Sequence, residues 1–272
     1  MLTSCLPMTV ERETPTLSRR KNNDVSEGLH ALSQQAHSTC ETVDLFNAHG
    51  IRARLITTPR SSDWSQELAE LSRCLSPTER VTFATFRSPI RQRQFLLGRQ
   101  ESKRLIAEQS PNAIIPWPQI SIESCDLAGA GQRPAIRISQ VQFPWSLSLS
   151  HSADSVLVAA ALRDNVRLGV DVTTISEIRP QSLRTWLTES EHVHFDLNDP
   201  RDLAVCWSIK EAFYKAAQRG EPFRPRSVDV YRDGDRFRCH YGQRDVPESF
   251  EIHVWHLNES VAVLVHMPEL PD

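Results

Sequence analysis

The stretches FLLGRQESKRL (residues 95–105) and CWSIKEAFYKA (residues 206–216) each carry an aromatic, a charged residue and a lysine at successive steps of four. These are Phe95, Arg99 and Lys103 in the first, and Trp207, Glu211 and Lys215 in the second. A period of 3.6 residues stacks such positions on one face, so each stretch predicts a helix. Two similar stripes in one chain point to a duplicated unit, although this spacing is common on helices and carries little weight alone. The middle step differs, a cation in one and a carboxylate in the other.

Working outward, the first helix spans about residues 90–109 and stops before SPNAIIPWP (110–118), whose three prolines forbid continuation. Ahead of it, IRARLIT (51–57) alternates like a strand and SQELAELSRCL (65–75) has helical period. SPTER (76–80) supplies an N-cap serine, a proline at the first helical position and a glutamate three residues after the cap. Behind it, QISIESC reads as a strand, LAGAGQRPAI as a glycine-rich turn, and SLSLSHSADSVLVAAAL as a hairpin. After the turn RDNVR come the strand LGVDVTTI (168–175), helical material in PQSLRTWLTESEHVHF, and the second helix over residues 200–219. RSVDVYR, RFRCHY, FEIHVWHL and SVAVLVHM add four late strands.

This order predicts an α+β fold of two similar halves, each a small antiparallel sheet with a long helix. The expected boundaries are a mobile extension over 1–50, an N-terminal subdomain over 51–165 and a C-terminal subdomain over 166–272.

The chain has 272 residues, 39% of them hydrophobic, and a formal net charge of −3. That suits a packed core and argues against a general nucleic-acid or membrane binder, leaving any anion site local. Six cysteines without a CxxC pair predict cytoplasmic thiols rather than a disulfide framework. The first thirty residues interrupt their apolar positions with charges, so no signal peptide is expected and the cytoplasm is the expected location.

In GVDVTT, alternation puts Val170 and Val172 on one face and Asp171 with Thr173 on the other, directing Asp171 to solvent or into a site. In the second helix Cys206, Ile209, Phe213 and Ala216 form the buried stripe, with Trp207, Glu211 and Lys215 about 100° round from it. Glu211 and Lys215 also suit a surface ion pair. His151 ends a strand beside Ser148, Ser150 and Ser152, a set that suits phosphate oxygens and equally a hydrophilic edge. Arg133 sits in the glycine-rich turn, where a cation can reach an anion. The remaining histidines show no HExxH spacing, so a zinc site is not expected. GxxxxGK[ST], GxGxxG and GxSxG are all absent from the sequence.

Read in order, LSPTER, FLLGRQESKRL, GQRPAI, SLSHS, GVDV and WSIKEAFYKA resemble the large, monomeric 4′-phosphopantetheinyl transferases that modify carrier proteins of peptide, polyketide, fatty-acid or lysine synthesis. The likeness covers about residues 50–265. It implies a pseudo-two-fold enzyme that binds coenzyme A and Mg²⁺, or alternatively Mn²⁺, between its halves. Such an enzyme moves phosphopantetheine to a serine of an apo acyl or peptidyl carrier domain and releases adenosine 3′,5′-bisphosphate. By the same pattern Asp171 and Glu211 are metal ligands, Glu211 is also the general base, and Lys215 contacts the phosphate. Ser150 and His151 match coenzyme A contacts, and Arg133 matches a cation beside the adenine and 3′-phosphate. Arg91 is taken as a further phosphate-binding cation, and Lys103 as a basic position with Arg99 as its companion.

One departure is Thr173, where many relatives carry a second acid two places after the strand aspartate. It puts metal affinity or preference in doubt and keeps open a non-catalytic coenzyme A or carrier-protein binder. A structural α+β protein with surface ion pairs is the third alternative.

Overall fold

The structure is a computed structural model that describes residues 40–58, 64–110, 115–125, 131–218, 220–242 and 249–269. The first half contains β1 (Glu41–Ala48), β2 (Ile51–Thr57), α1 (Ser65–Leu71), α2 (Pro77–Thr85) and α3 (Pro89–Gln109). It continues with β3 (Ile120–Cys125), β4 (Gly131–Ile138), β5 (Val141–Phe143), β6 (Ser146–Ser152) and β7 (Ser155–Ala161). The second half contains β8 (Val166–Thr174), α4 (Leu183–Trp186), α5 (Pro200–Ala217), β9 (Val228–Asp233), β10 (Arg236–Tyr241), β11 (Glu251–His256) and β12 (Ser260–Pro268). Among the described residues no helix is long and apolar enough to cross a membrane.

The architecture is α+β, and its halves repeat one plan. In the sheet β1-β2-β7-β6, the opening strand β2 pairs with the closing strand β7, which pairs with β6. In the sheet β11-β12-β8, the opening strand β8 pairs with the closing strand β12, which pairs with β11. The three-stranded sheet β3-β4-β5 follows α3, and the hairpin β9-β10 follows α5.

Three apolar layers form the core, one inside each half and one between them. Leu96, Leu97, Leu105 and Ile106 of α3 pack on Val156, Val158 and Ala160. Cys206, Ile209, Phe213 and Ala216 of α5, the stripe read from the sequence, pack on Val261, Val263 and Val265. Between the sheets, Ile51, Ala53, Leu55, Leu157 and Ala159 meet Leu168, Val170, Val172, Ala262 and Leu264. Strand β8 is thus covered on both faces, and the face carrying Asp171 points toward α5.

A second repeat is polar and buried. CLSPTERV (74–81) and WLTESEHV (186–193) place Glu79 and Glu191 in matching positions. Glu79 accepts the backbone N–H of Ser76 and of Ile122, and Glu191 accepts those of Thr188 and Val230. Lys103 Nζ lies 2.5 Å from Glu79 and donates to the Cys74 carbonyl. Lys210 Nζ lies 2.8 Å from Glu191 and donates to the carbonyls of Trp186, Pro225 and Val228. Both lysines are 0% exposed. Satisfied carboxylates and ammonium groups tolerate such depth where unpaired ones do not.

This repeat corrects the helix alignment drawn from the four-step stripes. The equivalent of Lys103 is Lys210, not Lys215, so Glu211 stands opposite Arg104 rather than Arg99.

Three local expectations also differ from the structure. Residues 41–48, placed in the extension, form β1, which among the described residues is an edge strand paired only with β2, so its polar composition hid it. Residues 1–39 lie outside the described residues. The segment read as a glycine-rich turn enters β4 at Gly131, and its ladder with β3 is irregular between Glu123 and Cys125, where Pro134 has no N–H to give. Residues 180–195 form short helical turns rather than one helix. The break lets Glu191 turn inward to Lys210.

Candidate functional site

The site forms where β8 and α5 touch, and Gly169 allows the approach. A Cβ built there would lie 1.8 Å from the Ala212 carbonyl oxygen and 2.7 Å from the Ala216 nitrogen, both α5 backbone. The helix therefore lies against the strand with no side chain between. Two residues further along β8, on the same face, Asp171 meets the Glu211–Lys215 step of α5.

The first half closes the site through its serines. Ser146 and Ser148 Oγ accept the N–H groups of Leu168 and Val170, and Ser152 Oγ accepts that of Thr174. The offset is 22 residues in all three, so β6 and β8 run alongside each other with hydroxyls bridging them. Ser150 instead points its hydroxyl at Asp171, donating to Oδ1 at 2.7 Å. The alternating serines of SLSLSHS thus join the halves, and Ser150 is the one aimed into the site.

Asp171 is 3% exposed. Its Oδ1 also faces Lys215 Nζ at 3.0 Å, and its Oδ2 accepts the Thr173 hydroxyl at 2.8 Å. Burial alone would raise its pKa, but the Lys215 ammonium, with the Ser150 and Thr173 hydroxyls, holds it below the usual carboxylate value. Lys215 Nζ also lies 3.2 Å from Glu211 Oε2 and donates to the Val170 carbonyl. Its burial would lower its pKa, yet Asp171 and Glu211 outweigh that and raise it. Glu211 behaves differently: burial, then the charge of Asp171, push its pKa up from 4.5 to about 7, despite Lys215. Two carboxylates share one ammonium, and one of them holds its proton near neutrality.

These side chains line a cleft of about 630 Å³ with Leu149, Ser152, Val172, Ile178, Trp186 and Trp207 among its walls. His151 lies at its edge, 2.7 Å through Nε2 from Arg91 Nη1. Desolvation of the ring, then the Arg91 cation, lower its pKa to about 4. It is a neutral acceptor at pH 7, and the cleft edge carries the arginine charge.

Of the residues named from the sequence, Asp171, Glu211, Lys215, Ser150 and His151 line the cleft, and Arg91 reaches it through His151. Arg133 does not line it. Its guanidinium donates to the Ala216 carbonyl at the end of α5 and lies 3.6 Å from Glu269, which also pairs with Arg167. Burial and then Arg167 lower its pKa. Lys103 is a correction. It is sealed in the first half against Glu79, with Arg99 held by Ser124 and Glu79, so neither faces the cleft.

Sequence reasoning missed Glu177. It lies on the cleft wall, hydrogen-bonded to the Ser152 hydroxyl, in the turn after β8 where no periodicity marks it.

Two carboxylates around one ammonium, on a cleft with Arg91 and His151 at its edge, make an arrangement that can hold a hard divalent ion and an anionic group. Residues 167–265 match the family model of the 4′-phosphopantetheinyl transferase superfamily, and that stretch contains Asp171, Glu211 and Lys215. No curated protein matches the chain. Among solved structures, the holo-[acyl-carrier-protein] synthase of Thermotoga maritima is similar at 20% identity and a TM-score of 0.32, covering 37% of this chain. The chain spans 61% of the length of that protein.

Proposed function

We propose that the protein transfers 4′-phosphopantetheine from coenzyme A to a serine of an acyl or peptidyl carrier protein. The observation that carries this reading is the Asp171–Lys215–Glu211 cluster, which faces a cleft closed by Ser150 of the other half and lies within the matched stretch.

Asp171 and Glu211 fit Mg²⁺, because both carboxylates line the cleft and converge on one ammonium, 3.0 and 3.2 Å from Lys215 Nζ. When bound there the ion neutralises pyrophosphate charge. Glu211, on the cleft wall beside Lys215, accepts the proton of the attacking carrier serine. Lys215 stabilises charge on the phosphate oxygens, and Asp171 holds Lys215 in place. Ser150 and Thr173 fix the Asp171 carboxylate, so Thr173 acts as an orienting hydroxyl where many relatives have an acid. Arg91 and His151 receive the phosphates at the cleft edge, and Arg133 receives the distal 3′-phosphate beyond the end of α5. Because one chain supplies both walls, the proposed enzyme is a monomer of the large, surfactin-synthetase-activating type and acts in the cytoplasm.

Incubation with coenzyme A, Mg²⁺ and a panel of apo carriers tests the reading. A phosphopantetheine mass shift on a carrier serine supports it. Tight coenzyme A binding without a shift on any carrier would instead favour a non-catalytic binder.

A further inference from the structure

We propose a second metal site, for a zinc-like transition ion, on the side of the C-terminal sheet that faces the first half. Its ligands are Glu251 and His253 of β11 and His266 of β12. Glu251 and His266 are direct cross-strand partners, and His253 is two residues along β11, so the pleat puts all three on one face. The same face carries Leu264 and Ala262 into the layer between the sheets, distant in the fold from the α5 face that holds Asp171.

The geometry is that of a coordination face. His253 Nε2 and His266 Nε2 are 3.2 Å apart, and Glu251 Oε2 is 3.4 Å from each. Bonds of about 2.0–2.1 Å at tetrahedral angles place neighbouring ligand atoms about 3.3 Å apart. The same three atoms thus form a near-regular triangle of the size that one tetrahedral ion spans.

The surroundings agree. Phe46 of β1 lies over His253 with ring centroids 4.6 Å apart, and Trp255 stacks on its other neighbouring side at 6.1 Å, giving an apolar shell. The titratable and charged groups near the triangle are His49 of the β1–β2 turn and Arg163. Three protein ligands leave one position of a tetrahedral ion open, as in sites that keep an exchangeable ligand. The spacing rules missed this site because its ligands come from two strands.

Cobalt(II) titration of the EDTA-treated full chain, followed by visible absorption, tests the proposal. The expected result is a tetrahedral cobalt band at one ion per chain, displaced by zinc. It should persist in Asp171→Asn and weaken by at least about 100-fold in His266→Gln and in the exposed-residue variant Glu251→Gln, comparing with the 10–100-fold cost of losing even an outer partner. Absence of the band, its retention in both ligand variants, or its loss in Asp171→Asn would each overturn the proposal.

Discussion

Lys103→Met isolates what the buried lysine does. The ammonium is 0% exposed, 2.5 Å from Glu79 and 2.7 Å from the Cys74 carbonyl. Methionine fills the space of the stem but leaves the Glu79 carboxylate buried without its counter-charge. Removing one partner of a buried pair costs roughly 3–5 kcal/mol. In a chain of this size each kcal/mol lowers Tm by about 2–4 °C, so a fall of roughly 6–20 °C is expected. Lys210→Met should cost a similar amount, since Glu191 is enclosed in the same way. The double variant Glu79→Gln with Lys103→Met should regain part of the loss, because the uncompensated carboxylate is gone while the buried Arg99 loses its Glu79 partner. Urea melts at pH 7, with coenzyme A binding measured on the folded protein, separate the two roles. A stability loss under about 1 kcal/mol together with a large loss of coenzyme A affinity would refute the structural role and return Lys103 to the ligand.

Gly169→Ala should destabilise by at least about 3 kcal/mol or prevent folding, because its Cβ meets α5 backbone, which cannot rotate away; an unchanged melt would show that α5 can shift. Glu211 gives metal-free protein a pH signature. Its folded pKa of about 7 exceeds its unfolded value of 4.5, so the folded state binds the extra proton and stability falls as pH rises from about 4.5 to 7. The fall is on the order of 3 kcal/mol, and it should vanish in Glu211→Gln; identical pH–stability curves would contradict the raised pKa. Ser150→Ala removes a donor from Asp171 and should lower transfer about tenfold while leaving Tm within a few degrees, since one charge-assisted bond is worth about 1.5–3 kcal/mol; a full-rate variant would show that Ser150 does not position Asp171.

The long helices, their apolar stripes and the late strands were legible because period and capping are local properties. Alternation also separated Asp171 from Val170 and Val172. What escaped depended on partners distant in sequence. Strand β1 is polar because it is an edge, and β4 exists because β3 pairs with it across an irregular ladder. The serines of β6 read as phosphate ligands, yet three of them accept β8 amides. Lys103 and Lys215 looked equivalent by four-step spacing, but the buried glutamates show that Lys103 matches Lys210. Glu177 and the Glu251–His253–His266 triangle carry no signature in one dimension, since tertiary packing alone gathers them.

The central claim is tested most directly by intact-mass analysis of an apo carrier incubated with coenzyme A, Mg²⁺ and either wild-type protein or Glu211→Gln. The expected result is phosphopantetheinylation of the carrier serine by wild type and a rate at least about 100-fold lower for the folded variant, the scale of losing one preorganised group at a reacting centre. Equal rates for the two proteins would contradict the assignment of Glu211, and no modification of any carrier by wild type would contradict the transferase itself.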